Sequence, residues 1–142
     1  MYLGWSVSLS NNCNSIAIGG ASYDNGKGIV KIYDYETENG ILGWYEKKSY
    51  VGDTQWEQFG SSVSLNGDGN RVVIGSIVGG SGFPTNLENG FVTIYDKVNG
   101  NWSDDAHVIT PTDIPGNGSS QGKKFGYSVR LNNTGERLII GH

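Results

Sequence analysis

Chemistry in this chain would have to come from its carboxylates, its one thiol or its two imidazoles. Asp24, Asp34, Glu36, Glu38, Asp53, Glu57, Asp96, Asp104 and Asp105 fall mostly in stretches that read as turns. Glycoside hydrolysis needs two acids held at a defined separation in a pocket, and none of these has an obvious partner, so solvated turn residues are expected. Asp34 and Asp96 each follow an Ile-Tyr pair, which suggests a strand-ending role. Cys13 is the only cysteine and excludes an intrachain disulfide. A nucleophilic thiol needs a base beside it, and neither His107 nor His142 lies in a motif that supplies one. No catalytic residue and no cofactor site is expected. Trp5, Trp56, Tyr23 and Phe83 could stack on a sugar ring, with core or rim packing the favoured reading.

The elements that would position such residues repeat. Gly4-Trp5-Ser6-Val7-Ser8-Leu9, Gly60-Ser61-Ser62-Val63-Ser64-Leu65 and Gly126-Tyr127-Ser128-Val129-Arg130-Leu131 are three versions of one phrase, offset by 56 and then 66 residues. Each runs through a polar turn into an apolar stretch ending in glycine: Ile16-Ala17-Ile18-Gly19, Val72-Val73-Ile74-Gly75 and Leu138-Ile139-Ile140-Gly141. A period of this size marks a supersecondary unit that buries its faces by stacking on copies of itself.

Composition agrees. The 142 residues include 23 Gly, four Trp, eight Tyr and four Phe, with only 17% charged. Glycine, Asn and Ser crowd the turns, and β-branched and aromatic residues crowd the runs between them, as in a turn-rich all-β protein. Net charge −4 without a basic cluster argues against a nucleic-acid surface. No apolar stretch approaches membrane-spanning length, and no signal peptide is visible.

Period-two patterning places strands near 5–10, 15–20, 28–35, 44–50, 61–66, 71–76, 90–97, 102–109, 127–132 and 137–141, with essentially no helix. Val30-Lys31-Ile32-Tyr33-Asp34 and Val92-Thr93-Ile94-Tyr95-Asp96 match almost residue for residue, and Trp44 and Trp102 mark the fourth strands. The units differ mainly in the Gly75 to Gly90 and Thr110 to Lys124 connections. The array spans residues 1–142, with a first repeat over 4–59, a second over 60–125 and half of a third over 126–142. It reads as a piece of a longer repeat protein or as a chain completed by association.

Four strands per unit, with Phe59-Gly60 and Phe125-Gly126 opening the later copies and Gly19-Gly20-Ala21 downstream of Leu3-Gly4, resemble the FG-GAP repeats of integrin α-subunit propellers and of many secreted proteins, in their calcium-less variety. The resemblance implies an all-β fold of four-stranded antiparallel β-propeller blades, two complete and one partial. In that family the Ca²⁺-binding loops carry oxygens at alternating positions. Asn66, Asp68 and Asn70 match part of that pattern, but one carboxylate is little charge for a cation that takes six to eight oxygens, so a structural hairpin is expected. Gly4, Gly60, Gly126, Gly19, Gly75, Gly141, Tyr33, Tyr95, Trp44 and Trp102 are expected to hold the repeat together.

The function expected is a non-enzymatic scaffold or binding module of an extracellular or cell-surface protein. It would take a protein or carbohydrate ligand and associate with further blades or with copies of itself. The alternative is part of a propeller enzyme, of glycosidase or lyase class, whose active site other blades complete. Asn101, Asn117 and Asn132 begin Asn-x-Ser/Thr triplets that matter only in a secreted eukaryotic protein.

Overall fold

The computed structural model describes residues 3–78, 89–113 and 124–141. Phe83, Asn117 and His142 lie outside these, as do parts of the two long connections. The described chain is all-β, in three antiparallel sheets. The first takes β1 (Ser6–Leu9), β2 (Ser15–Gly20), β3 (Ile29–Glu38) and β4 (Ile41–Val51) in sequence order. The second takes β5 (Phe59–Leu65), β6 (Arg71–Ser76), β7 (Phe91–Val98), β8 (Asn101–Trp102) and β9 (His107–Ile109), with β8 and β9 both paired to β7. The third is the hairpin β10 (Ser128–Leu131) and β11 (Leu138–Gly141). A four-residue helical turn at Tyr23–Gly26 and a 3-10 turn at Pro111–Asp113 complete the described elements.

Local chemistry explains the hairpins. Ser10, Asn66 and Asn132 follow the last residue of β1, β5 and β10. In each, a side-chain oxygen accepts the backbone N–H five residues on, from Ser15, Arg71 and Arg137, each at 3.0 Å. Short polar side chains that bond nearby backbone compete with extended structure and so make turns. The outer hairpins use a different device. Asn39-Gly40 and Asn99-Gly100 have φ of 51° and 80°, and 52° and 82°, the left-handed pair that a tight two-residue turn demands. The first of these Asn-Gly turns carries β3 on to Glu38 and starts β4 at Ile41, beyond the ends expected from patterning alone.

The fourth strand of the second sheet is broken where the sequence suggested one run over 102–109. Ser103 N donates to the Asp96 carbonyl and Asp105 N to Ser103 Oγ, which lifts 103–106 off the ladder before His107 rejoins β7.

The sheets stack face to face. The back of the first sheet (Ala17, Val30, Ile32, Tyr50) meets the front of the second (Val63, Leu65, Val72, Ile74, Trp102) in one apolar cluster. The back of the second (Val73, Val92, with Ile94) meets Val129, Leu131, Leu138 and Ile140 of the third in another. Both seams carry the same polar bonds. Ser6 Oγ donates to Gly60 O at 2.8 Å, and Ser62 Oγ to Gly126 O at 2.7 Å. Leu65 N donates to Ser8 Oγ at 2.9 Å, and Leu131 N to Ser64 Oγ at 3.0 Å.

Gly60 and Gly126 hold φ of 84° and 85°, where a side chain is strained. A Cβ at Gly19 would fall within the van der Waals shell of the Gly60 carbonyl oxygen, and one at Gly75 within that of Gly126. Gly43 lies in a strand with only a Tyr45 ring atom near its open Cβ position, at 3.8 Å. Gly75→Ala should therefore cost about 2 kcal/mol or more, in the range of overpacked interiors. Gly43→Ala should stay within about 0.5 kcal/mol. Equal denaturation midpoints for the two variants would show that the close approach at the seam carries no energy.

Candidate functional site

Several cavities lie where the sheets meet among the described residues, and two of them have walls that bear on function. The larger, about 500 Å³, opens where β1, β5 and β10 run side by side, and is walled by Val7 to Leu9, Val63 to Leu65 and Val129 to Leu131. Three hairpin turns close its end and tie to one another. Asn11 Nδ2 donates to Asn133 Oδ1 at 2.7 Å, Asn12 N to Gly67 O at 3.3 Å, and Gly67 N to Asn133 O at 2.8 Å. The second repeat uses glycine at 67 because a Cβ there would collide with the Asn133 side chain. Amides, serine hydroxyls and the exposed Arg130 guanidinium line this groove with hydrogen-bonding groups.

The smaller cavity, about 300 Å³, lies between the β4–β5 connection and the β7–β9 face, with Val51, Phe59, Phe91, Tyr95 and Val108 among its walls. Glu57 lines it and is buried. Its Oε2 accepts Asp53 N at 2.8 Å, Thr54 N at 3.1 Å and Thr54 Oγ1 at 3.3 Å, folding the connection around the carboxylate. Burial pushes the Glu57 carboxyl above its ordinary value, while the Thr54 and Asp53 N–H donors pull the other way. Burial likewise raises the Tyr95 hydroxyl, helped by Asp53, Glu57 and Asp104 nearby.

Most other acids are held in ion pairs. Asp34 accepts Ser15 Oγ at 2.6 Å within its own sheet and Lys97 Nζ at 2.8 Å from the second sheet. Asp96, its counterpart, grips Arg71 through two bonds at 2.6 and 2.9 Å, and Arg71 reaches on to Gly135 O at 2.8 Å. The recurring aspartates thus anchor cations at the seams. Lys47 bridges Glu36 and Glu38, Lys31 pairs with Glu46 at 2.7 Å, and Lys48 with Asp104 at 2.6 Å. Among the described residues no group of three or more His, Cys, Asp and Glu side chains is placed to hold a metal ion. Cys13 is exposed in its turn at φ 59°.

The side-chain oxygens of Asn66 and Asn70 are spent on the turn itself. Asn66 is buried, its Oδ1 accepting Asn70 N and Arg71 N and its Nδ2 donating to Asn70 Oδ1 at 2.7 Å, while Asp68 is exposed. The repeated aromatics divide. Tyr95 stacks on Tyr50 with ring centroids 3.8 Å apart, and Trp102 is buried beneath Lys97. Tyr33 bonds Glu46, and Trp44 leans on Tyr35 at the surface. The Glu57 cavity had no visible sequence signal, because its walls come from two sheets. The Asp34–Lys97 bond had one in the recurrence of the Ile-Tyr-Asp string.

No helix among the described residues is long and apolar enough to cross a membrane. No protein-family model matches the chain, and no curated protein matches it.

Two outcomes are expected. Native Glu57 binds its proton more tightly than the unfolded chain does, so its contribution to stability falls as pH rises through the ordinary glutamate range, near 4.3, and levels off above the raised native value. Glu57→Gln keeps an acceptor oxygen, and its melting temperature should gain on the wild type between pH 4 and pH 7. A parallel pair of pH curves would contradict this. Added Ca²⁺ at about 1 mM, a level that extracellular modules use, should move the melting temperature by no more than a degree or so. A shift of many degrees would mean that the Asn66–Asn70 turn reorganises around the ion.

Proposed function

We propose that this chain is a non-enzymatic scaffold or binding module built of β-propeller-type blades of the FG-GAP kind, belonging to an extracellular or cell-surface protein. The observation that carries the reading is the pair of matching seams. Ser6 and Ser8 use the same bonds toward Gly60 and Leu65 that Ser62 and Ser64 use toward Gly126 and Leu131. Successive sheets related by one repeated contact are what stacked blades require.

The groove between β1, β5 and β10 is the binding surface in this reading. Its polar walls and Arg130 suit a hydroxyl-rich or acidic partner, a carbohydrate or a protein loop. The non-enzymatic assignment is supported by the acids themselves, most of which are engaged with lysine, arginine or backbone N–H groups.

An NMR titration of the labelled chain with neutral and acidic oligosaccharides and with acidic peptides tests this. Shift changes are expected at Ser8, Ser64, Arg130 and Asn133, with chromogenic glycosides left intact. Turnover that Glu57→Gln abolishes would replace this reading with an enzyme. The stacking half is tested separately: Ser62→Ala should lower stability by about 1 kcal/mol, as should Ser6→Ala at the other seam.

A further inference from the structure

Equivalent positions in the three repeats have the same chemistry and opposite exposure. Val63 and Val129 are 8% and 9% exposed, while Val7 is 67%. Leu65 and Leu131 are each 6% exposed, while Leu9 is 51%; Trp102 is 7%, while Trp44 is 43%. All these residues occupy the front of their units, and only the first front has no sheet against it among the described residues. At the other end the pattern reverses. Ala17 and Val73 on the first two backs are fully buried, while Ile139 on the third is 73% exposed.

The polar seam is also present as two unfilled halves. Gly4 holds φ 98°, like Gly60 and Gly126, but nothing lies within 4 Å of its open Cβ position. Gly141 matches Gly19 and Gly75, each of which meets its own serine hydroxyl and a neighbouring carbonyl, yet among the described residues its Cβ position meets only the Ser128 atoms. Ser128 matches the donors Ser6 and Ser62.

We propose that a second copy of this chain covers the β1–β2 front with the back of its own β10–β11 hairpin, head to tail, in the register of the two internal seams. This rests on reading the units as stacking repeats. In that contact Ser128 Oγ donates to the Gly4 carbonyl, Gly141 provides the close approach, and Ile139 covers the apolar patch of Val7, Leu9, Ile16 and Ile18. Arg130 stands where Ser8 and Ser64 accept a leucine N–H. A guanidinium has no acceptor, so the intermolecular seam has one bond fewer than the internal ones. The interface joins two different surfaces, and it propagates as a stack or closes as a ring.

The test uses two substitutions at exposed positions, Val7→Glu to block the front and Ile139→Glu to block the back, with thermal melts to verify that each variant stays folded. Light scattering at about 100 µM should find the wild type larger than its 15.3 kDa monomer and each variant monomeric. An equimolar mixture, in which one good front meets one good back, should form a 1:1 dimer. Arg130→Ser restores the missing acceptor and should tighten wild-type association about two- to tenfold, as one net hydrogen bond allows. A monomeric wild type, a mixture that stays monomeric, or an Arg130→Ser variant that associates less would each overturn the proposal. If the wild type is monomeric while Ser62→Ala still lowers stability, stacking within the chain stands and only the intermolecular contact is lost.

Discussion

The structure depends on one constraint: a sheet with two apolar faces must have both covered. Here the cover comes from the neighbouring sheet, held by a serine that donates to a glycine carbonyl and a second serine that accepts a leucine N–H. The two serine-to-carbonyl bonds can form because no Cβ intervenes. The Gly19 and Gly75 positions let a carbonyl come within a distance that any larger residue forbids. Each bond contributes about 1 kcal/mol net, which is modest beside the apolar burial it accompanies. Its greater effect is on register. A strand slipped by one residue would turn Val63 and Leu65 to the wrong side and the serines into the core.

Polar residues in the seams follow the same logic. Asp34 and Asp96 sit where β3 and β7 leave the tightly packed zone, and each ends up holding a cation, Lys97 or Arg71, that ties one sheet to its own edge or to the next. Partly exposed ion pairs are worth little in isolation. These are reinforced by a hydroxyl from Ser15 at Asp34 and by the Gly135 carbonyl at Arg71. Glu57 differs, since backbone N–H groups and a threonine hydroxyl hold it rather than a cation. It closes the connection that carries the chain from the first sheet to the second, and its burial is the cost of that closure. The Tyr50–Tyr95 stack fills the space between the sheets nearby.

Much of this was legible in the residues. The glycine-serine-valine-serine-leucine phrase fixes four inner positions at once, because alternation assigns serine and valine to opposite faces, and a β-strand has no other periodicity. Three copies make the assignment redundant. The outer strands were harder. Asn39-Gly40 and Asn99-Gly100 carried a turn signal, yet the polar Glu36-Thr37-Glu38 run hid how far β3 extends toward the first of these turns. The Glu36 and Glu38 side chains of the first outer hairpin are stabilised by Lys47 rather than by burial. The break at Ser103–Ala106 depends on Asp96 and Ser103 meeting across a hairpin, a contact no local pattern encodes.

The sequence by itself determined the strand alternation, the repeat and the chemistry of each face, since these follow from side-chain type and a period of two. Tertiary structure decided which of those faces are covered. Tyr33 and Tyr95 occupy equivalent positions, as do Trp44 and Trp102, and burial separates Trp102 from Trp44 because the second sheet has a neighbour in front and the first has none among the described residues. It also turned Asn66 and Asn70 toward each other, and gathered the Glu57 cavity from three separate stretches of chain. Exposure is a property of what lies across the interface. A repeated phrase specifies the same surface each time, and only packing determines what meets it.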